Sequence, residues 1–237
     1  MHGSAVEAAL SFLEVYGPFS SADVLEVGSR NVTGSLRDAV VHEGRWVGVD
    51  IEPGPGVDVV LSDPYSLPFE DGEFGAAIAT SVFEHNEMFW LTFLEMARVV
   101  RPGGLLYLCS PSNGHIHRHP VDCYRFYPDA GVALANWACR SGYPMTTLES
   151  FIVRQKASEW NDWCSVFFRG ESQSAPVVPT SLGVVLDTYA VGAGTDSGPV
   201  PKTQATEDQW NLHVMRSELE VLRRPFRRFL PLRRHYR

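Results

Sequence analysis

Three histidines alternate in one loop, His115, His117 and His119, and Asp122 follows three positions after the last. Residues two apart share a side of an extended segment, so the three imidazoles are expected to face one way. An imidazole titrates near neutral pH and can take the proton from a hydroxyl, whose oxygen is a poor nucleophile until that proton leaves. His117 or His119 is therefore the candidate base. Asp122 is expected to orient one imidazole or to act as base itself, and at least one of the three histidines only pins the loop. The same side chains could ligate zinc, iron or magnesium, but alternating ligands in one loop seldom converge on one ion without partners from elsewhere. A metal is possible on this reading and not favoured.

A second set of residues has the pattern of a nucleotide site. The β-rich run Val24-Leu25-Glu26-Val27 closes on Gly28, with Ser29 and Arg30 after it. A glycine there lets the backbone approach a ligand closely, and the N-terminus of a following helix offers free amides to a carboxylate. Asp50 ends Val47-Gly48-Val49, where an acid can accept both hydroxyls of a ribose. Asp63 follows the run 57–61. Acids at such places also cap helices and form turns. Glu26 is read equally as a ligand contact and as a support beneath the loop.

These residues need a sheet to bring them together. The order is a leading helix at 4–16, expected over the sheet edge, then strand, glycine loop and helix at 33–41. Short strands follow at 47–50 and 57–61, the latter after the turn-forming Glu52-Pro53-Gly54-Pro55-Gly56. Residues 74–79 read as a strand, 87–100 as a helix stopped by Arg101-Pro102-Gly103-Gly104, and 105–109 as a strand. A helix at 128–139 precedes two β-rich runs, 146–153 and 163–168, that suggest a terminal hairpin. The expected fold is α/β: a Rossmann-like, seven-stranded, mostly parallel sheet with a terminal antiparallel hairpin, in a single domain with a C-terminal helical tail. The expected divisions are 1–170 for the domain, 171–206 for a Pro/Gly/Ser-rich loop or linker with an apolar island at 182–189, and 207–237 for a basic amphipathic helix.

Charge narrows the partners. The net charge is −8, but residues 209–237 hold eight arginines against Glu218 and Glu220, a net +6 that leaves −14 for the rest. An acidic body disfavours a broad phosphate-backbone contact, so nucleic acid is not expected as a partner. The stripe Leu212, Met215, Leu219, Leu222, Phe226 and Phe229 suits homodimerisation or peripheral membrane contact. The four cysteines are too widely spaced for a close-paired zinc pattern and too few for a disulfide scaffold. With no long apolar stretch and no basic leader, a cytoplasmic protein is expected.

Taken in order, Val24-Leu25-Glu26-Val27-Gly28-Ser29-Arg30, Val47-Gly48-Val49-Asp50, Leu61-Ser62-Asp63 with Leu67-Pro68-Phe69, Ser81-Val82-Phe83-Glu84-His85 and Arg101-Pro102-Gly103-Gly104 resemble the bacterial class I S-adenosylmethionine-dependent methyltransferases. The resemblance spans about residues 23–110. It implies S-adenosylmethionine as donor and S-adenosylhomocysteine as product. Asp50 would then meet the ribose, Ile51 the adenine face, Asp63 the adenine amine, and Thr80 and Ser81 the methionine portion, with Glu26, Gly28, Ser29 and Arg30 around the loop. Arg30 departs from the family pattern, which places a second glycine there; it either meets the donor carboxylate or faces solvent. The segment 119–128 looks like one in methyltransferases of polysaccharide and glycoconjugate biosynthesis. That resemblance implies O-methylation of a sugar hydroxyl, with Tyr124, Tyr127, Trp160 or Trp163 stacking on a pyranose and Arg118 or Arg125 meeting a phosphate or carboxylate. The alternatives are a natural-product N- or O-methyltransferase with a small-molecule acceptor, and a partner module that binds the cofactor without turnover.

Overall fold

The computed structural model describes residues 3–17, 21–32, 34–153, 160–177, 180–186, 188–193 and 206–223. The strands are β1 Val24–Val27, β2 Trp46–Asp50, β3 Val59–Val60, β4 Phe74–Thr80, β5 Val100–Pro111, β6 Thr146–Val153, β7 Asp162–Phe168 and β8 Thr188–Ala193. They form one sheet in the order β3-β2-β1-β4-β5-β7-β6-β8. From β3 to β5 all neighbours are parallel, while the β5–β7, β7–β6 and β6–β8 pairs are antiparallel. The expected seven strands and their terminal hairpin are present. The eighth strand comes from the stretch read as a loop or linker, and so does the short helix α5, Leu182–Val185, which is numbered after α1 Gly3–Val15, α2 Leu36–Ala39, α3 Phe89–Val99 and α4 Asp129–Arg140.

Period-two alternation sends side chains to two cores. Leu25, Val27, Val49, Ala77, Ala79, Leu106 and Leu108 face α3 and α4, which contribute Phe93, Met96, Leu134 and Ala138. Val24, Trp46, Ile78, Leu105 and Tyr107 face the other way, against Ala5, Ala8 and Phe12 of α1. The Phe12 ring stacks on Tyr107 at 4.7 Å, so α1 covers the central strand β5 and not the sheet edge expected for it. Small residues at 5, 8 and 9 let the helix settle that closely.

Three local departures from the sequence reading have identifiable causes. The helix expected at 33–41 is only the four-residue α2, because Asn31 Oδ1 first accepts the Gly34 amide in a turn and Ser35 Oγ then caps at Asp38. Arg101-Pro102-Gly103-Gly104 ends α3 but already belongs to β5. Phe74 pairs with Val100 and Ala76 with Leu105, so the segment is a bulge, with Gly103 at φ +86°. The late segment is fastened by the buried Glu149 on β6, whose carboxylate accepts from the Tyr16 hydroxyl at 2.6 Å and from the Leu182 and Gly183 amides at 2.8 Å each.

The described residues 206–223 belong to a unit separate from the body. Its helix α6, Glu207–Arg223, leaves Leu212, Met215, Leu219 and Leu222 exposed. Phe226 and Phe229 of the expected stripe lie outside the described residues. Among the described residues no helix is long and apolar enough to cross a membrane.

Candidate functional site

Register places the candidate residues at one end of the sheet. Val27 lies opposite Val49 and Ala79, and Thr80 lies opposite Cys109, so β1, β2, β4 and β5 deliver their carboxyl ends together. Ligands of open α/β sheets bind beyond these ends. Gly28 sits at φ +74°, and a Cβ there would come within 2.2 Å of Val82 Cγ2. Only glycine fits both the backbone and the space. The loop amides are not free as expected: Gly28 and Ser29 donate to Val49 O, Arg30 to Asp50 Oδ2, and Asn31 to Pro55 O. The loop is thus braced against β2 by its own backbone, and α2 does not begin until Leu36.

Six of the nine residues proposed around the donor lie at this sheet end. Asp50 is fixed through both oxygens, by the Arg30 amide at 3.1 Å and the Glu52 amide at 3.1 Å. Ile51 beside it is half-exposed. Asp63 accepts the Tyr65 amide at 2.9 Å in a turn and stays exposed. Thr80 is buried, with a hydroxyl that meets no hydrogen-bond partner among the described residues, and Ser81 follows it at φ +56°. The other three turn elsewhere. Glu26 is buried and accepts the Trp46 indole N–H at 2.8 Å; burial pushes its carboxyl up to about 7, partly offset by that bond. The Ser29 hydroxyl lies against Gly48. The Arg30 guanidinium pairs with Glu52, an outcome that neither sequence reading named.

The loop after β5 is knit by Arg125. Its guanidinium donates to the Asn113, His115 and Tyr124 carbonyls and to both oxygens of Asp122. Asp122 also accepts the His117 amide at 2.7 Å. The Arg125 bond holds its carboxyl well below the usual range, so Asp122 stays ionised and orients the loop; the base role does not suit it. Asn113 Oδ1 accepts the Asn161 amide at 2.7 Å, bringing the start of β7 onto the loop.

The structure gathers His117 and His119 and adds His85, from the turn after β4. The His85 ring lies 4.8 Å from that of His117 and 6.2 Å from that of His119, centroid to centroid. His85 Nδ1 meets Val121 O at 2.5 Å. Burial lowers the imidazole pKa of both His85 and His117, leaving them neutral near pH 7. His119 is exposed at the edge of the cluster, and His115 packs on Trp160 at 4.7 Å. Glu84, beside His85, is fully buried, and desolvation pushes its carboxyl up to about 8. Sequence reasoning used Glu84 and His85 only as part of a resemblance and gave them no role. The available signal was an adjacent acid and imidazole just past a strand's carboxyl end.

Most of the aromatic side chains offered for sugar stacking are occupied. Trp163 is fully buried, stacked on Phe126 at 5.1 Å. Trp160 is buried, and its ring fills the space beside Gly114, where a Cβ would come within 2.3 Å. Tyr124 packs on Phe89 and donates to Glu87 O at 2.9 Å. Tyr127 remains exposed, as does Arg118.

Residues 25–108 match the family model described as a methyltransferase domain. A protein of transposon TN4556 from Streptomyces fradiae is 34% identical over 106 residues, covering 40% of this chain and 31% of that one. The demethylmenaquinone methyltransferase of Staphylococcus saprophyticus is 31% identical over 122 residues, covering 46% of this chain and 52% of its own. The chain thus spans about half or less of the length of these relatives. Among solved structures, the 1,6-didemethyltoxoflavin-N1-methyltransferase of Burkholderia thailandensis superposes with TM-score 0.56 at 17% identity, over 70% of this chain and 79% of that one. The [4+2]-cyclase SpnF superposes with TM-score 0.52 at 15% identity, over 71% and 82%. At these identities the superpositions speak to fold alone. Sheet order, the crowded glycine after β1, the acid ending β2 and the sequence match agree that residues 25–108 carry a methyltransferase domain of the Rossmann-like, S-adenosylmethionine-dependent type.

Proposed function

We propose that this chain transfers a methyl group from S-adenosylmethionine to a hydroxyl of a sugar or glycoconjugate, releasing S-adenosylhomocysteine. The residues at the sheet end fit the donor. Gly28 allows close backbone approach, Asp50 is held ready for ribose hydroxyls, and the buried Thr80 hydroxyl has a bond to give. Ile51 and Asp63 would take the adenine, and Thr80 and Ser81 the methionine portion. When bound, the donor supplies a methyl carbon made electrophilic by its sulfonium.

The observation that carries the acceptor assignment is the cluster of His85, His117 and His119 beside the ends of β4 and β5. A hydroxyl needs a base before it can attack, and an imidazole can provide one. His119 is assigned that proton, because it is exposed while the His117 ring is wedged between His85 and Trp160. Asp122 and Arg125 act by positioning the loop. Alignment of acceptor oxygen and methyl carbon supplies the rest of the acceleration. The sugar itself rests on the resemblance of segment 119–128 and on the exposed Tyr127 and Arg118.

The test incubates the protein with S-adenosylmethionine and a panel of glycans and glycosides, following S-adenosylhomocysteine release and the mass of the product. His119→Ala is expected to slow transfer by about 10²- to 10⁴-fold with donor binding unchanged. Transfer at an undiminished rate would remove His119 as base. The 31% identity to demethylmenaquinone methyltransferase favours a second reading, a non-carbohydrate small-molecule acceptor, and a quinol or amine methylated in preference to every glycan would establish it.

A further inference from the structure

Glu84 is fully buried, with the Ser110 hydroxyl and its own backbone amide beside the carboxyl, yet neither carboxylate oxygen has an aligned hydrogen bond among the described residues. Buried carboxylates are paired, hydrogen-bonded or bound to metal, because an uncompensated one is costly. His117 Nδ1 is a second buried atom without an aligned hydrogen bond, although the His115 backbone lies beside the imidazole; it stands 3.3 Å from Asp122 Oδ2, whose oxygens already serve Arg125 and the His117 amide. His85 donates Nδ1–H to Val121 O, which leaves the lone pair on Nε2, 3.7 Å from Glu84 Oε1. A backbone carbonyl on one ring nitrogen is the usual way a ligating histidine is oriented. One donor atom from each of Glu84, His85 and His117 lies within 4.8 Å of the other two.

We propose that Glu84, His85 and His117 bind one divalent transition-metal ion of the zinc or iron(II) class, leaving a coordination position open to the acceptor oxygen. Two imidazoles and a carboxylate suit zinc or iron(II) better than magnesium, which prefers an all-oxygen shell. The set departs from the loop-only one considered from sequence. His115 is taken by Trp160 and Asp122 by Arg125, so the other ligands come from the segment after β4. The two segments are tied together where the Cys123 and Tyr124 amides donate to Glu84 O at 2.7 and 3.3 Å. Asp122 holds the His117 backbone, and its charge offsets that of Arg125 beside the ion. Ion binding stands apart from methyl transfer; only the role of the open position rests on the hydroxyl-transfer reading.

The full chain, stripped with a chelator, is titrated with Co²⁺ and then with Zn²⁺, following cobalt absorption and calorimetric heat. About one equivalent of Co²⁺ is expected, displaced by Zn²⁺. Glu84→Gln, His85→Gln and His117→Ala should each weaken binding by about tenfold or more, with His115→Ala unchanged. S-adenosylhomocysteine binding reports that each variant is folded; where His117→Ala is not, His117→Gln replaces it. Absence of saturable Co²⁺ and Zn²⁺ binding, or binding indifferent to all three substitutions, overturns the site. Azide added to the cobalt form should shift its spectrum, and an unshifted spectrum overturns the open position. An ion held by the triad in a protein that methylates no hydroxyl would leave this site standing and sink the acceptor assignment.

Discussion

Arg125 meets Asp122 through a two-pronged fork, Nη1 to Oδ1 at 2.5 Å and Nη2 to Oδ2 at 2.8 Å, while the same carboxylate takes the His117 amide. One nearly buried acid thus connects the guanidinium that gathers the loop to the backbone of a cluster histidine. The pair works by geometry, since planar forks match carboxylates.

Arg125→Lys keeps the charge and loses the fork. Stability should fall by about 1–3 kcal/mol, and methyl transfer by about tenfold or more, while donor affinity holds. Urea unfolding and calorimetry with S-adenosylhomocysteine separate the two. Donor affinity falling in step with transfer would mean that the loop also shapes the donor pocket.

Gly28→Ala places a methyl against Val82 on a backbone at φ +74°. Donor affinity should drop by about tenfold or more, and stability by about 1–3 kcal/mol. Adding Val82→Ala should restore only part of the loss, because it relieves the contact and leaves the strained φ. Full recovery in the double variant would show that crowding alone explains the glycine.

Asp50→Ala removes the acceptor for two amides as well as the group assigned to the ribose. Calorimetry should find donor and product binding reduced beyond detection in a folded protein. Asp50→Asn should retain part of the brace and little of the affinity, which tells a ribose contact from loop support.

Glu26 sets a pH trend. Its carboxyl rises from 4.5 to about 7 on folding through burial, so the folded chain holds a proton where the unfolded chain has released it. Its favourable contribution is full below about 4.5 and fades as pH climbs through 7. Glu26→Gln can still accept the Trp46 N–H and should flatten this trend. At pH 8 the variant should exceed the parent by up to about 3 kcal/mol, measured by urea unfolding from pH 4.5 to 8. Equal slopes for the two would rule out Glu26 as the source.

Strands that alternate or run apolar were legible in the chain, and β6 occupies the stretch read from it. So were Gly28 and Asp50, whose residue types are dictated by local geometry. What escaped depends on distant partners. β8 exists because β6 offers it an edge, and α5 because Glu149 accepts its first amides; neither is visible in a Ser/Pro/Gly-rich stretch. Glu84 is buried by a loop about 40 residues further on, so sequence showed an acid before a histidine and not its burial.

The Glu149 carboxylate joins Tyr16, near the start of the chain, to Leu182 and Gly183, which are made long afterwards. During synthesis α1 therefore emerges well before β6 and α5 and waits for both before that hydrogen-bond set can close. Its Ala-rich face has no central strand to rest on until β5 has left the ribosome. Such sequence-distant closure slows folding and exposes apolar surface meanwhile. The nascent chain should accordingly be most dependent on chaperones between the appearance of α1 and that of α5, with the last step of its maturation being the clasp of an early tyrosine and a late turn on one acid.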